Sequence, residues 1–129
     1  MIRYFQPKCI PGSPAPFSQI VMDDMYAHLA GVVAADFPEG RSVLGHVGEE
    51  TKAVLQVIVD MLGEIGLGIE HIVRTDVHLA DLADFDAMDE AYRGFFEKGS
   101  YPARTTTESP RLFGGSLVEI TCTARMKNK

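Results

Sequence analysis

At 129 residues, 46% hydrophobic and 23% charged, the chain has the makeup of one globular domain, residues 1–129, and not of a disordered, fibrous or membrane-spanning polypeptide. Twelve Lys and Arg against 18 Asp and Glu give a formal net charge of −6, a poor match for a phosphate backbone. The two cysteines, Cys9 and Cys122, are too few and too separated for a disulfide framework or a zinc site, and the N-terminus lacks the apolar stretch of a secretory signal, so a cytoplasmic setting is expected.

In chain order, Ile2 to Phe5 reads as a short edge strand. Pro7, Pro11, Gly12, Pro14 and Pro16 then keep the chain out of helices and central strands. Met25 to Val33 is a second extended segment, followed by a loop carrying Pro38, Gly40 and Gly45. From about His46 to Ile65, Val54, Ile58, Met61, Leu62 and Ile65 recur at helical spacing. Glu49, Glu50, Lys52, Gln56, Asp60 and Glu64 mark the wetter side, and Gly66 and Gly68 close the helix. Val73 to Leu79 alternates as a strand. A second helix is predicted from about Asp84 to Lys98, with Asp81 or Asp84 as its N-cap, Phe85, Met88, Tyr92, Phe95 and Phe96 on one side, and Gly99 at its end. Strands at about Ala103 to Ser109 and Leu117 to Met126 complete the chain. In the last, Val118, Ile120, Cys122, Ala124 and Met126 oppose Glu119, Thr121, Thr123 and Arg125.

Two amphipathic helices cover only one side of so small a sheet, which predicts an α+β domain with helices on one face and right-handed crossovers. The other face is polar and Thr-rich and must meet water or another subunit. If the last two strands form an antiparallel hairpin, pairing Arg104 with position 119 or 121 puts Arg104 and Glu119 on one face with Thr106 and Thr121; a slip by one residue separates them. Together they would supply a fork for a carboxylate and a carboxylate to aim water. A cross-strand salt bridge is the plainer reading of the same pair.

Four histidines, His28, His46, His71 and His78, form no close helical pair, so no metal site is expected. The serines lack a nucleophile-elbow or triad pattern, and Gly66-Leu67-Gly68 follows a helix, which makes it a helix stop and not a phosphate cradle.

Several segments resemble the RidA/YjgF family. They are Ala15-Pro16-Phe17-Ser18-Gln19, the run from Val73 to Leu79, Asp81-Leu82-Ala83-Asp84-Phe85, Tyr92, Phe95-Phe96, Leu117-Val118-Glu119-Ile120 and, above all, the run from Tyr101 to Glu108 with Pro102-Ala103-Arg104 at its head. The resemblance runs from about residue 10 to 126. It implies a chorismate-mutase-like fold, a homotrimer with sheets packed inward, and pockets between subunits. It also implies an enamine/imine deaminase that hydrolyses reactive 2-imino acids to 2-keto acids and ammonia with no cofactor and no metal. Carried over, Arg104 would hold the substrate carboxylate and Glu119 would orient the attacking water and handle its proton. The backbone of Gly31 and of Thr106 would lie against the bound acid.

The chain departs from the family pattern at several positions. Phe17 stands where Tyr is typical, Ala30-Gly31-Val32 replaces Ser-Gly-Gln, Thr106 occupies a position often Cys, and Asp89 replaces an Asn on the second helix. Phe17, Ala30 and Val32 make the substrate pocket more apolar, and Asp89 would disfavour a second negative charge on a ligand. The reading requires an Arg104 guanidinium left unpaired by its own protomer. Two alternatives stand beside it: a non-catalytic binder of small carboxylates, and an RNA-acting protein of the endoribonuclease L-PSP type. The acidic balance, the lack of Trp and the absence of a basic stripe argue against the latter, so no nucleic-acid partner is expected.

Overall fold

The alternation at the end of the chain marks the strand around which the rest is arranged. In the computed structural model, which describes residues 1–127, β7 (Val118–Arg125) is buried at every even position and half-exposed or exposed at every odd one. That is what a period of two produces when only one sheet face is covered. In chain order the strands before it are β1 (Arg3–Phe5), β2 (Ile20–Met22), β3 (Tyr26–Leu29), β4 (Val32–Val33), β5 (Ile72–Leu79) and β6 (Ala103–Glu108). Their order across the sheet is β1-β2-β3-β7-β5-β6, with β4 paired to β7. All pairings are antiparallel except β5 with β6.

The helices are α1 (Pro38–Arg41), α2 (Val47–Glu64) and α3 (Phe85–Arg93). Returning from β5 to a parallel β6 needs a long crossover, and α3 fills it. The apolar side of α2, with Val54, Leu55, Ile58, Met61 and Leu62, packs into one cluster with Ile20, Leu29, Val77, Ile120 and Cys122 of the sheet and Met88 and Tyr92 of α3. Each fully buried Leu, Ile or Met contributes about 1.5–3 kcal/mol. Gly66, at φ +79, ends α2 in a left-handed turn that lets Leu67 N–H reach the Leu62 carbonyl at 2.9 Å. At the same end, Glu64 accepts the backbone N–H groups of Lys8 and Cys9 at 2.8 and 2.9 Å, tying down the proline-rich segment.

Four expectations are corrected. The extended stretch Met25 to Val33 is two strands broken at Ala30-Gly31, and Ile20–Met22 is a further strand too short to show a period. The second helix stops at Arg93, with Gly94 as its C-cap, not at Lys98; its entry is a 3₁₀ turn, Leu82–Asp84, capped by Asp81 Oδ1 accepting Ala83 N–H at 2.9 Å. The aromatic side survives the earlier stop because Tyr92 and Phe96 stack with ring centroids 4.8 Å apart. Glu50 is not on the wet side of α2. It is fully buried, its two oxygens accepting Gly45 N–H and Leu117 N–H at 2.8 Å each. Finally, β6 and β7 are not a hairpin: β5 lies between them. Their connection straddles the end of β5, where Ser109 N–H donates to the Leu79 carbonyl (2.7 Å) and Ala80 N–H to that of Leu117 (3.0 Å).

Candidate functional site

With β5 interposed, register decides which face each candidate occupies. Arg104 stands beside Thr75, and Thr75 beside Cys122; Thr106 stands beside Val77, and Val77 beside Ile120. Bridge partners project to the same side, so Arg104 and Thr106 share the helix-covered face at the open edge of the sheet. Glu119 pairs with His78 and Thr121 with Asp76, on the face without helices. Arg104 and Glu119, which a hairpin in one register would have put on one face, are therefore on opposite sides of one protomer's sheet, as are Thr106 and Thr121.

Around Arg104, α3 supplies the walls. Phe85, Asp89 and Tyr92 recur at helical spacing and meet the edge strand. The guanidinium carbon lies 4.7 Å from the Tyr92 ring centroid and 5.5 Å from that of Phe85, stacking contacts in which the planar guanidinium excels. Tyr92 is itself fixed by a 2.7 Å hydrogen bond between its hydroxyl and the buried Thr75 hydroxyl. Arg104 Nη2 donates to Asp89 Oδ1 at 2.8 Å, and Arg93 Nη2 donates to Asp89 Oδ2 at 2.7 Å. The hydrogen bond from Arg104, assisted by Arg93 and opposed by desolvation, holds the Asp89 carboxyl below the ordinary aspartate range. The requirement for an unpaired guanidinium is thus corrected: α3 brings an internal carboxylate to it. The bond runs from one terminal nitrogen of a five-donor fork, and the carboxylate is shared with a second arginine. A depression of about 200 Å³ opens here, lined by Asp89, Tyr92, Arg93, Tyr101, Pro102 and Arg104.

Around Glu119 the chain builds a second cleft, of about 560 Å³, whose lining includes Phe17, Gln19, Gly31, Asp36, Phe113 and Glu119. Gly31 lies directly under the carboxylate: a Cβ there would sit 2.9 Å from Glu119 Oε2 and 3.1 Å from Thr121 Oγ1. Glycine is what lets the backbone approach so closely. Among the described residues Glu119 makes no ion pair. Phe17 and Phe113 stand 53% and 81% exposed at this cleft, too much apolar surface for side chains meant for water alone. Asp36 also lines it; burial raises its carboxyl above the usual aspartate range, against one lowering bond from Val33 N–H at 3.3 Å. Thr106 lines neither cleft.

The structure therefore groups Phe17, Gly31 and Glu119 around one cleft and Asp89 and Arg104 around another. Sequence reasoning missed Asp36, and it gave Tyr92 and Phe85 no role in a site. Asp36, set just before Phe37-Pro38 at the foot of a turn, carried no signal beyond turn chemistry. The histidines are dispersed: His28 pairs with Asp23, His78 with Thr107, and His71 Nδ1 accepts Gly68 N–H. Among the described residues no three His, Cys, Asp or Glu converge on a metal position, and no helix is long and apolar enough to cross a membrane. A further depression, of about 870 Å³, lies between α2 and α3; its charged lining residues Glu49, Lys52 and Glu90 are exposed, and Lys52 pairs with Glu49 at 3.5 Å.

Known proteins resemble this chain in sequence and in fold. The family model described as endoribonuclease L-PSP matches residues 9–126. A human protein named 2-iminobutanoate/2-iminopropanoate deaminase is 35% identical over 114 residues, covering 88% of this chain and 82% of its own length. A RutC family protein of Pyrococcus abyssi is 34% identical over 85% of this chain and 86% of its own. Among solved structures, a YjgF family member from Neisseria meningitidis superposes with a TM-score of 0.80 at 27% identity, over 100% of this chain and 98% of its own. E. coli TdcF, solved with bound serine, superposes with a TM-score of 0.85 at 22% identity over 97% and 99%.

Proposed function

The chain belongs to the endoribonuclease L-PSP family, the RidA/YjgF proteins, and from that premise we propose that it is an imine deaminase, hydrolysing reactive 2-imino acids to 2-keto acids and ammonia at sites completed between two copies of the chain. The observation that carries the reading is the Arg104 guanidinium, stacked on Tyr92 at an open sheet edge beside a depression that admits a planar carboxylate. The names of the human and rodent relatives supply the reaction.

One protomer holds the two groups on opposite faces, so a working site needs the β6 edge of one copy set against the Glu119 cleft of the next. A closed ring of such head-to-tail contacts, a homotrimer with the polar sheet faces inward, satisfies this. It would also cover Phe17, Phe113 and Tyr101, which one chain leaves in water. Arg104 then grips the carboxylate through its remaining donors, with the backbone of Gly31 and Thr106 against the acid. Glu119 takes a proton from water as its oxygen bonds to the carbon of the protonated imine and returns that proton to nitrogen. It then takes the carbinolamine hydroxyl proton as the carbonyl forms, the carbon–nitrogen bond breaks and ammonia leaves, which carries the last proton off as ammonium. Water attacks such imines unaided, so holding the carboxylate and aiming one water suffices; orientation alone is worth several kcal/mol.

The family description also contains an endoribonuclease. The net charge of −6 and the scattered, separately bonded histidines favour the deaminase over that reading. The test is to generate short-lived imino acids with an amino-acid oxidase and trap survivors with semicarbazide. Added protein should lower the trapped fraction and speed keto-acid release; no effect on any imino acid sinks the proposal, and keto-acid affinity without turnover favours a binder. Arg104→Ala and Glu119→Gln should each be inactive. Refolded together in equal amounts they should regain about a quarter of wild-type activity, the share of sites receiving both intact residues when copies alternate at random.

A further inference from the structure

Asp89 reaches the anion-binding arginine before any ligand does. Its carboxylate bridges Arg104 at 2.8 Å and Arg93 at 2.7 Å, three charges in a row that sum to +1. The side chains of Arg104 and Asp89 are 22% and 21% exposed, whereas that of Arg93 is 67% exposed. The inner pair is sheltered, so Asp89 cancels much of the Arg104 charge, while water and salt screen the outer cation. Asp89 and Arg104 line the same small depression, so an acid held by the guanidinium also lies beside the carboxylate.

Resting on the deaminase reading, we propose that Asp89 is a specificity-determining residue that makes the site favour the zwitterionic iminium acid over the anionic 2-keto acid that replaces it. The two ligands share a carboxylate and differ by one charge. The protonated imine carries a positive nitrogen next to its carboxylate and is neutral overall; the keto acid is a net anion. A lone guanidinium would hold both carboxylates alike. Beside Asp89 the keto acid meets a like charge, whereas the iminium nitrogen meets an opposite one. The protonated imine is also the form whose carbon is open to water, so the same charge that selects the reactive form hastens departure of the product. An Asn at this position, as the family pattern has, would still accept the Arg104 bond but would not discriminate by charge.

The experiment compares the assembled wild-type protein with Asp89→Asn. Calorimetry would measure the affinity for pyruvate and for L-alanine, its zwitterionic counterpart, at low and high salt. Asp89→Asn should bind pyruvate on the order of tenfold more tightly at low salt, with no gain for alanine, and the gap should close as salt screens it. Pyruvate should inhibit imine hydrolysis by the variant more strongly by the same factor. Equal pyruvate affinity in the two proteins, a gap that salt leaves untouched, or a gain shared by alanine would overturn the proposal. Arg93→Gln, which strips the outer cation from Asp89, provides a second variant and should weaken pyruvate binding; unchanged or tighter binding counts against the proposal. If the wild type releases no ammonia from any imine, the deaminase reading fails by itself; if it does and the pyruvate ratio does not move, only the role of Asp89 fails.

Discussion

Replacing Glu50 by Gln keeps the shape of the side chain and removes one of its two acceptors. In the wild type both carboxylate oxygens are used, one by Gly45 N–H and one by Leu117 N–H, at 2.8 Å each, and the residue is fully buried in the first turns of α2. The positive end of the helix dipole helps a carboxylate to sit there. In Glu50→Gln, one backbone N–H faces an amide NH2 and has no partner. An unsatisfied buried donor costs about 1–3 kcal/mol, and the surviving bond loses its charge assistance, worth about 1 kcal/mol. Easier burial of a neutral amide offsets part of this, leaving a net loss of about 2–3 kcal/mol. For a chain of this length that lowers the melting temperature by about 6–15 °C. Circular dichroism or calorimetric melting at neutral pH reads the shift, and hydrogen exchange should quicken first at the Gly45 and Leu117 amides. Since Leu117 immediately precedes β7, which carries Glu119, turnover should fall as well. A melting temperature within about 2 °C of wild type would refute the assignment of Glu50 as the peg between the α2 entry and β7.

Gly31→Ala should leave the melting temperature nearly unchanged and cut imine turnover on the order of 100-fold, because the new methyl 2.9 Å from Glu119 Oε2 must turn the carboxylate aside; activity within twofold of wild type would show that Glu119 works in another rotamer. Asp36→Asn should stabilise the protein. Burial raises the Asp36 carboxyl in the fold above its unfolded value of about 3.9, so the ionised form is disfavoured on folding. That penalty is fully present above the folded value and absent below the unfolded one. The gain in melting temperature should therefore be clear at neutral pH and vanish as the pH drops below about 4. A gain independent of pH would mean that something other than ionisation sets it.

What the sequence displayed well was periodicity. The alternation of Val118 to Arg125 and the helical recurrence through Val54, Ile58 and Leu62 both became the elements they predict, because each is long enough to repeat its period several times. Short strands such as Ile20–Met22 had no room to do so. Strand order was the harder quantity: nothing local in Ala103–Glu108 or Val118–Arg125 says that β5 runs between them, since that is set by how the α3 crossover packs. The faces of Arg104 and Glu119 follow strand order, so without the hairpin their shared face is lost as well. Glu50 was misread for a related reason. Helical spacing alone places it among charged neighbours, and only the approach of Leu117 from the far end of the chain gives its carboxylate a reason to be inside. Asp89 was noticed as a departure from the family pattern, but its grip on Arg104 required the three-dimensional meeting of α3 with the sheet edge.

The sulfur chemistry of the chain follows from where its two thiols ended up. Cys122 projects from β7 into the core and Cys9 packs beside Glu64; burial above all, with Glu64 adding to it at Cys9, pushes both up to about 12. On the order of one sulfur in 10⁵ is then a thiolate at neutral pH, and Thr106 puts a hydroxyl where the family resemblance would put another cysteine. Electrophiles that need a thiolate thus meet almost none at either cysteine. The proposed site is made of oxygen and nitrogen groups, and its activity should survive alkylation of the thiols.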